Sequence, residues 1–388
     1  MDDFRSLWTL EPGLDFLNHG SFGACPRAVL EAQSELRARM ERQPLQFLAR
    51  DLEGLLDEAR AALGEFVGGD ADDLAFVPNA TTGVNTVLRS LDLRAGDEIV
   101  TTDHAYNSCR NALRWQEERG VKSVYARVPW PLSGPWQVVE SVLAAITPRT
   151  RLVMIDHVTS PTGLVFPVTE IVRRLPNVDV LVDGAHAPGM LPLDLRSIGA
   201  AYYTGNCHKW LCTPKGSAFL HVRRDRQAAM KPIVYGHGLN SPRTDRGPFR
   251  LQFDWGGTDD PTPFLCIPVA LKYLASLMPW PSIMARNHAM AVAGRRLLLE
   301  ALRIPEPAPE FMLGSLASVP LPDYSGERPV HTGVWWHPFQ KQLLQKHRIE
   351  APVMIFPEFP RQLIRISAQI YNSLDQYGRL AEVLRSGT

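Results

Sequence analysis

The chain has 388 residues, 45% hydrophobic and 21% charged, the proportions of a soluble globular protein and more length than one hydrophobic core usually supports. Forty-one basic and forty-one acidic residues cancel, so composition gives no electrostatic footprint for nucleic acid or an anionic membrane. Met1-Asp2-Asp3 opens no secretory signal, no apolar stretch approaches membrane-spanning length, and five scattered cysteines without a CxxC pair (Cys25, Cys109, Cys207, Cys212, Cys266) argue against a disulfide framework or a zinc site and for reduced thiols in a cytoplasmic protein.

The first informative run is Leu74 to Val77, short and apolar, followed by Pro78-Asn79-Ala80-Thr81-Thr82-Gly83-Val84-Asn85 entering a helix candidate. The hydroxyls of Thr81 and Thr82, with Gly83 and free backbone N–H groups, suit a phosphate cradle; a simple N-cap is the alternative. Residues 98–102 read as a strand, and Asp103-His104-Ala105-Tyr106-Asn107-Ser108 leaves its end. His104 could stack on a planar cofactor and Tyr106 could offer a hydroxyl to a substrate, or His104 could be a surface residue at a helix start. A helix over 107–119, a strand over 123–128, a helix over 138–146 and strands over 152–156 and 180–183 continue the alternation. Continuous apolar runs suit strands buried on both faces. The alternation predicts an α/β fold, a mostly parallel sheet covered by helices, with ligands beyond the carboxyl ends of the strands.

The 180–183 run ends in Asp183-Gly184-Ala185-His186, and Thr204-Gly205-Asn206-Cys207-His208-Lys209-Trp210 follows, with Lys209 209 − 183 = 26 residues beyond Asp183. A lysine amine can hold an aldehyde as a Schiff base, and a carboxylate can keep a pyridine nitrogen protonated, which are the parts that pyridoxal phosphate chemistry needs. Few charges surround Lys209, and desolvation there would favour its free amine. Thr204 and Asn206 could add hydrogen bonds to a phosphate. Asp183 could instead cap the next turn.

Arg223-Arg224-Asp225-Arg226 reads as a solvated turn, and residues 231–263, rich in glycine and proline, read as a long loop of the kind that tends to be functional. A helix begins near Leu265, a longer one covers 286–302, and Ile304-Pro305-Glu306-Pro307-Ala308-Pro309 makes a turn. Strands over 333–336 and 363–367 complete an α+β segment. These breaks predict an N-terminal arm (1–15), a large domain (16–261) and a small C-terminal domain (262–388). Arg365 sits on an apolar strand and needs a partner, either an internal salt bridge or a substrate carboxylate.

Together these residues resemble the fold-type-I, aspartate aminotransferase-like enzymes that use pyridoxal 5′-phosphate, in the class V aminotransferase group. More narrowly, the chain is similar to the isopenicillin N epimerase-like family, a sister of the cysteine desulfurases. The likeness runs from Phe16-Leu17-Asn18-His19-Gly20-Ser21-Phe22-Gly23 to Arg365-Ile366-Ser367-Ala368-Gln369-Ile370-Tyr371-Asn372. It implies that Lys209 carries the cofactor, Asp183 pairs with the pyridine nitrogen, His104 stacks on the ring and His186 lies near its phenolic oxygen. Thr81 and Thr82 would bind the phosphate, with Ser160, Thr204, Asn206 and His208 also at the cofactor. Arg365 would take the substrate α-carboxylate, and Asn18 and His19 would border the substrate space beside Tyr106. A homodimer is implied, in which Gly257 and Thr258 reach the partner's phosphate site.

Three departures bear on activity. No cysteine occurs from Ile267 onward, which disfavours the persulfide chemistry of the desulfurases. Ser160 stands where those relatives carry asparagine, and Asp259 where many epimerase-like relatives carry arginine. The expected activity is abstraction of an amino acid's α-proton by Lys209, leading to epimerisation. A carbon–sulfur β-lyase is the main alternative, with aminotransfer and a non-catalytic binding module behind it. No metal is expected.

Overall fold

The computed structural model describes residues 4–328 and 337–386. The apolar runs form a seven-stranded sheet: β1 (Leu74–Val77), β2 (Glu98–Thr102), β3 (Lys122–Ala126), β4 (Thr150–Asp156), β5 (Asp179–Asp183), β6 (Tyr202–Asn206) and β7 (Ala218–Val222). The spatial order is β1-β7-β6-β5-β4-β2-β3. Only β7 runs against its neighbours; the remaining pairings are parallel. Alternation along β5 explains why its run is apolar throughout. Val180 and Val182 enter one buried cluster while Leu181, between them, enters another on the opposite face.

Helices α1 (Ala80–Ser90) and α2 (Asn107–Glu117) cover one face, contributing Val84, Val87, Leu88, Cys109 and Leu113 to its cluster. The other face packs Val138, Val142, Val168 and Ile171. Asn79 starts α1 by accepting the Thr82 backbone N–H at 2.9 Å. Gly83 then lets the helix lie on the sheet, since a Cβ there would stand 2.2 Å from Thr204 Oγ1.

A second sheet, antiparallel in the order β9-β10-β8, comprises β8 (Leu316–Leu321), β9 (Val353–Ile355) and β10 (Gln362–Ser367). Helices α3 (Trp280–Leu302) and α4 (Leu374–Arg385) flank it, and Tyr377 on α4 donates its hydroxyl to Ser367 O at 2.7 Å. The N-terminal segment crosses to this part of the chain. Asp15–Phe16 pairs in parallel with Ile349–Glu350, and Leu17 O accepts the Ser367 N–H. That crossing brings residues 18–23 against the turn that holds Lys209. Gly23 marks the closest approach: it has φ +71°, and a Cβ there would lie 2.1 Å from His208 O.

Several expectations shift. Helices Arg27–Arg42 and Leu52–Val67 and strand β8 have no counterpart in the sequence reading. The 231–263 segment is not bare loop, because it contains the helix Pro248–Phe253. An arginine–aspartate network fastens this segment to Leu52–Val67. Arg246 binds Asp57 at 2.7 Å, Arg250 binds Asp57 and Asp72, and the wholly buried Arg60 binds Asp57 and Asp254. The strand expected over 333–336 lies outside the described residues. Among the described residues no single helix is long and apolar enough to cross a membrane.

Removing one carboxylate from a buried cluster whose arginines keep another, as Arg60 and Arg250 keep Asp57, costs about 2 kcal/mol. Asp254→Ala, which strips a carboxylate from Arg60 and Arg250, should therefore lower the urea midpoint by a corresponding amount. An unchanged midpoint would mean that the network adds nothing to stability.

Candidate active site

The carboxyl ends of β4, β5 and β6 open onto a cavity of about 670 Å³. Their terminal residues, Asp156, Asp183 and Asn206, line it together with Thr81, Tyr106, His186, His208, Lys209 and Arg365. Residues 20–22, carried in by the N-terminal crossing, close one wall.

Lys209 Nζ lies 3.2 Å from His186 Nε2, and His186 Nδ1 accepts the Trp210 indole N–H at 3.4 Å. An imidazole that accepts at Nδ1 carries its proton on Nε2, so His186 donates to Lys209 and the lysine receives as a free amine. Burial, and then the charge of Lys209, hold His186 well below its ordinary pKa. Burial, followed by the nearby Arg365 charge, lowers Lys209 to about 7, while Asp183 opposes the shift. Two neutral nitrogens thus face each other, and one is a nucleophile near neutral pH. The lysine backbone is fixed as well. His19 Nε2–H donates to Lys209 O at 3.0 Å, and its Nδ1 accepts the Tyr371 hydroxyl at 2.8 Å.

Asp183 accepts the Ala185 backbone N–H and the Cys109 thiol, both at 3.0 Å. Asp156 stands beside it in register on the neighbouring strand. Burial and then the Asp183 charge push Asp156 well above its ordinary value, which favours its protonated form. Its carboxyl also receives the Tyr106 backbone N–H, anchoring the turn that leads into α2.

Arg365 is fully buried and has no carboxylate partner among the described residues. Nη1 donates to Ser160 O and Oγ at 2.5 and 3.2 Å, and Nη2 donates to Ser21 Oγ at 3.0 Å. Nε has no partner. Among the described residues Arg365 forms no internal salt bridge, and a buried guanidinium on a cavity wall fits an incoming carboxylate.

The donor set fits pyridoxal phosphate. Thr81 sits at the N-terminus of α1. Asn206 Oδ1 takes the Ala80 N–H at 2.8 Å, which leaves its amide hydrogens available. His208 donates from Nδ1 to Ser217 O at 2.8 Å, which leaves Nε2 available. These groups suit a phosphate, Asp183 suits a pyridine nitrogen, and the Lys209 amine lines the same cavity.

Five expected residues do not line this cavity. His104 is wholly buried, bonded to Thr162 Oγ1 and Val128 O and ringed by Trp130, Phe166 and Phe356. The turn after β2 sends it into the core and brings Tyr106 to the cavity instead. Thr82 commits its hydroxyl and its N–H to Asn79, and faces a separate cavity with Gly257 and Thr258. Thr204 donates to Phe219 O beneath Gly83. His19 supports the Lys209 backbone from behind. Asn18 also stays off the wall, accepting Ser21 Oγ–H at 2.5 Å and so steadying the serine that holds Arg365. Sequence reasoning missed Asp156, Ser21 and Lys215. Asp156 had a readable signal, because its strand ends apolar-run-then-aspartate as β5 does.

Attachment of added pyridoxal phosphate to the apoprotein should accelerate with pH through about 7 and level off above it. Arg365→Gln removes the second-largest cause of the lowered value, so the midpoint should move upward. Stopped-flow absorbance measures both, and a midpoint near the ordinary lysine value in the wild type would contradict the burial argument.

Comparison with known proteins points the same way. The family model described as aminotransferase class-V matches residues 23–323. The chain is 33% identical to an isopenicillin N epimerase of Streptomyces clavuligerus over 404 residues, covering 99% of this chain and 97% of that one. It is 28% identical to an L-cysteine desulfhydrase of Arabidopsis thaliana, covering 96% and 88%. Among solved structures, the cystine C–S lyase C-DES in complex with cysteine persulfide aligns with a TM-score of 0.80 at 23% identity, covering 96% of this chain and 98% of that one. The chain belongs to the class-V aminotransferase family of fold-type-I enzymes that use pyridoxal 5′-phosphate, in its isopenicillin N epimerase-like group.

Proposed function

We propose that the protein takes an amino acid or amino-acid derivative and removes its α-proton at Lys209 Nζ, with epimerisation as the outcome. The supporting observation is the Lys209 amine 3.2 Å from His186 Nε2, in one cavity with Asp183 and an Arg365 that has no carboxylate partner among the described residues. When bound, pyridoxal phosphate supplies an aldehyde for amines and a ring that accepts the electrons left by the departing proton.

The chain's own residues divide the remaining work. Arg365 holds the α-carboxylate through its fork of donors, orienting the α-carbon towards Lys209. His186 Nε2–H keeps the lysine lone pair directed, and His19 fixes the lysine backbone. Thr81, Asn206 and His208 would hold the phosphate, Asp183 would pair with the pyridine nitrogen, and Tyr106 shares the cavity wall. Epimerisation also needs a proton donor on the opposite face, and the Tyr106 hydroxyl is the candidate on the cavity wall.

The arm, large and small domains divided at 16 and 262 belong to this reading, as does a homodimer. Exposed Ile233, Val234, Tyr235 and Leu239 give the 231–263 segment an apolar surface next to Gly257 and Thr258, which supports that assembly.

A carbon–sulfur β-lyase is the second reading, favoured by the likeness to the L-cysteine desulfhydrase and needing no opposite-face acid. Desulfuration is disfavoured because no cysteine lines the cavity among the described residues.

Turnover in D2O separates the outcomes. Epimerisation predicts α-deuterium incorporation with inversion and no keto acid, abolished in Lys209→Ala. Stoichiometric keto acid without inverted product would replace the epimerase reading with the lyase.

A further inference from the structure

Asp156 is a buried acid on the cavity wall that the proposed chemistry leaves unused. It ends β4 as Asp183 ends β5, and the two are paired in register on adjacent parallel strands. Neighbouring strands stand about 4.8 Å apart and register partners project to the same side, so the two carboxyl groups share one small space. Both line the cavity, and each is almost wholly buried. Asp156 accepts the Tyr106 backbone N–H, but a cap for that turn does not require an acid, because an asparagine side-chain oxygen accepts an N–H as well.

Charged and titratable groups surround Asp156 from three elements. Asp183 stands beside it on β5, Cys109 and Arg110 belong to α2, and Lys209 lies in the turn beyond β6. Asp183 accepts the Ala185 N–H and the Cys109 thiol, both at 3.0 Å, donors that suit a carboxylate. The thiol is a poor source of protons, since burial and then the Asp183 charge push it well above its ordinary value. Burial and then the same charge favour the protonated form of Asp156. The pair therefore favours one negative charge over two, and a cation placed at Asp183 offsets the repulsion that keeps it so.

We propose that Asp156 stores a proton for this site and gives it up to the ring nitrogen of pyridoxal phosphate when that nitrogen lies against Asp183. The O–H bond of Asp156 breaks, an N–H bond forms on the ring, and Asp156 is left as a carboxylate. The positive ring nitrogen then faces two carboxylates, and its proton comes from inside the fold, not from solvent. Asp156 acts through Asp183 and is a positioning residue: it sets the charge that meets the ring. This rests on the reading of the cavity as a pyridoxal phosphate site.

The test compares the full-length wild type with Asp156→Asn, which keeps an acceptor for the Tyr106 N–H and has no proton to give. The probe is pyridoxine 5′-phosphate, which carries the ring nitrogen and the phosphate but no aldehyde, and so forms no bond with Lys209. Calorimetric titration in two buffers of different ionisation enthalpy counts the protons exchanged with solvent. Asp156→Asn should take up about one proton per site more than the wild type. The infrared difference spectrum of the wild type should also lose a protonated-carboxyl band on binding. Equal proton counts overturn the inference and leave Asp156 as a cap on the turn. If Asp156→Asn does not fold, the wild-type spectrum decides, and a carboxyl band that persists through binding overturns the inference. An absorbance titration of the wild type with pyridoxal phosphate is run first. No uptake there overturns the cofactor assignment and the inference together, whereas uptake with equal proton counts overturns the inference alone.

Discussion

The Lys209 amine stands 3.2 Å from His186 Nε2, and its surroundings shift the lysine towards the neutral amine. Trp210, the next residue, sets the tautomer of His186 by occupying Nδ1. Burial removes the water that would stabilise either cation, and Arg365 adds a fixed positive charge that disfavours a second. The protein thereby forgoes the solvation of two ionisable groups and holds a guanidinium without a counter-ion. Such an arrangement makes sense only where anionic ligands complete it.

The sheet makes that geometry possible. Parallel strands β4 and β5 end level with each other, so their terminal aspartates stand side by side at the floor of the cavity. Two carboxyl groups so close cannot both ionise easily, and the upward shift falls on Asp156, whose carboxyl also secures the turn at Tyr106. The N-terminal crossing supplies the other wall. It is positioned by pairing with Ile349–Glu350 and Ser367, and it delivers Ser21 to Arg365 and His19 to the Lys209 carbonyl. Residues from both ends of the chain therefore support one amine.

Much of this was legible from sequence, for physical reasons. Strands buried on both faces must be apolar at successive positions, so β2, β4 and β5 declared themselves. The order of Asp183, His186 and Lys209 reflected chemistry that constrains residue type. Orientation was harder to read. His104 and Tyr106 lie two residues apart in a turn, and only the path of that turn decides which enters the core. Thr81 and Thr82 are adjacent on a helix and so point about 100° apart, too far for both to face one cavity. Thr204 shares a strand with Asn206 but lies below it, where Gly83 covers it. The surroundings of Arg365 were beyond reach because its partners, Ser160 and Ser21, lie 205 and 344 residues away in sequence. Helix Arg27–Arg42 buries only Val29 and Gln33 and so carries a weak apolar stripe, whereas Leu52, Leu56, Leu63 and Val67 form a stripe at helical spacing that is readable from sequence.

The central claim is that Lys209, not another amine, is the one that holds the cofactor. Two lysines line the cavity, so the question has a sharp answer. Purified protein loaded with pyridoxal phosphate should be reduced with borohydride, digested and mapped by mass spectrometry. The account predicts the reduced pyridoxyl label on Lys209 alone, and its disappearance in Lys209→Ala. Label on Lys215 in the wild type, or on no lysine of the cavity, would contradict it.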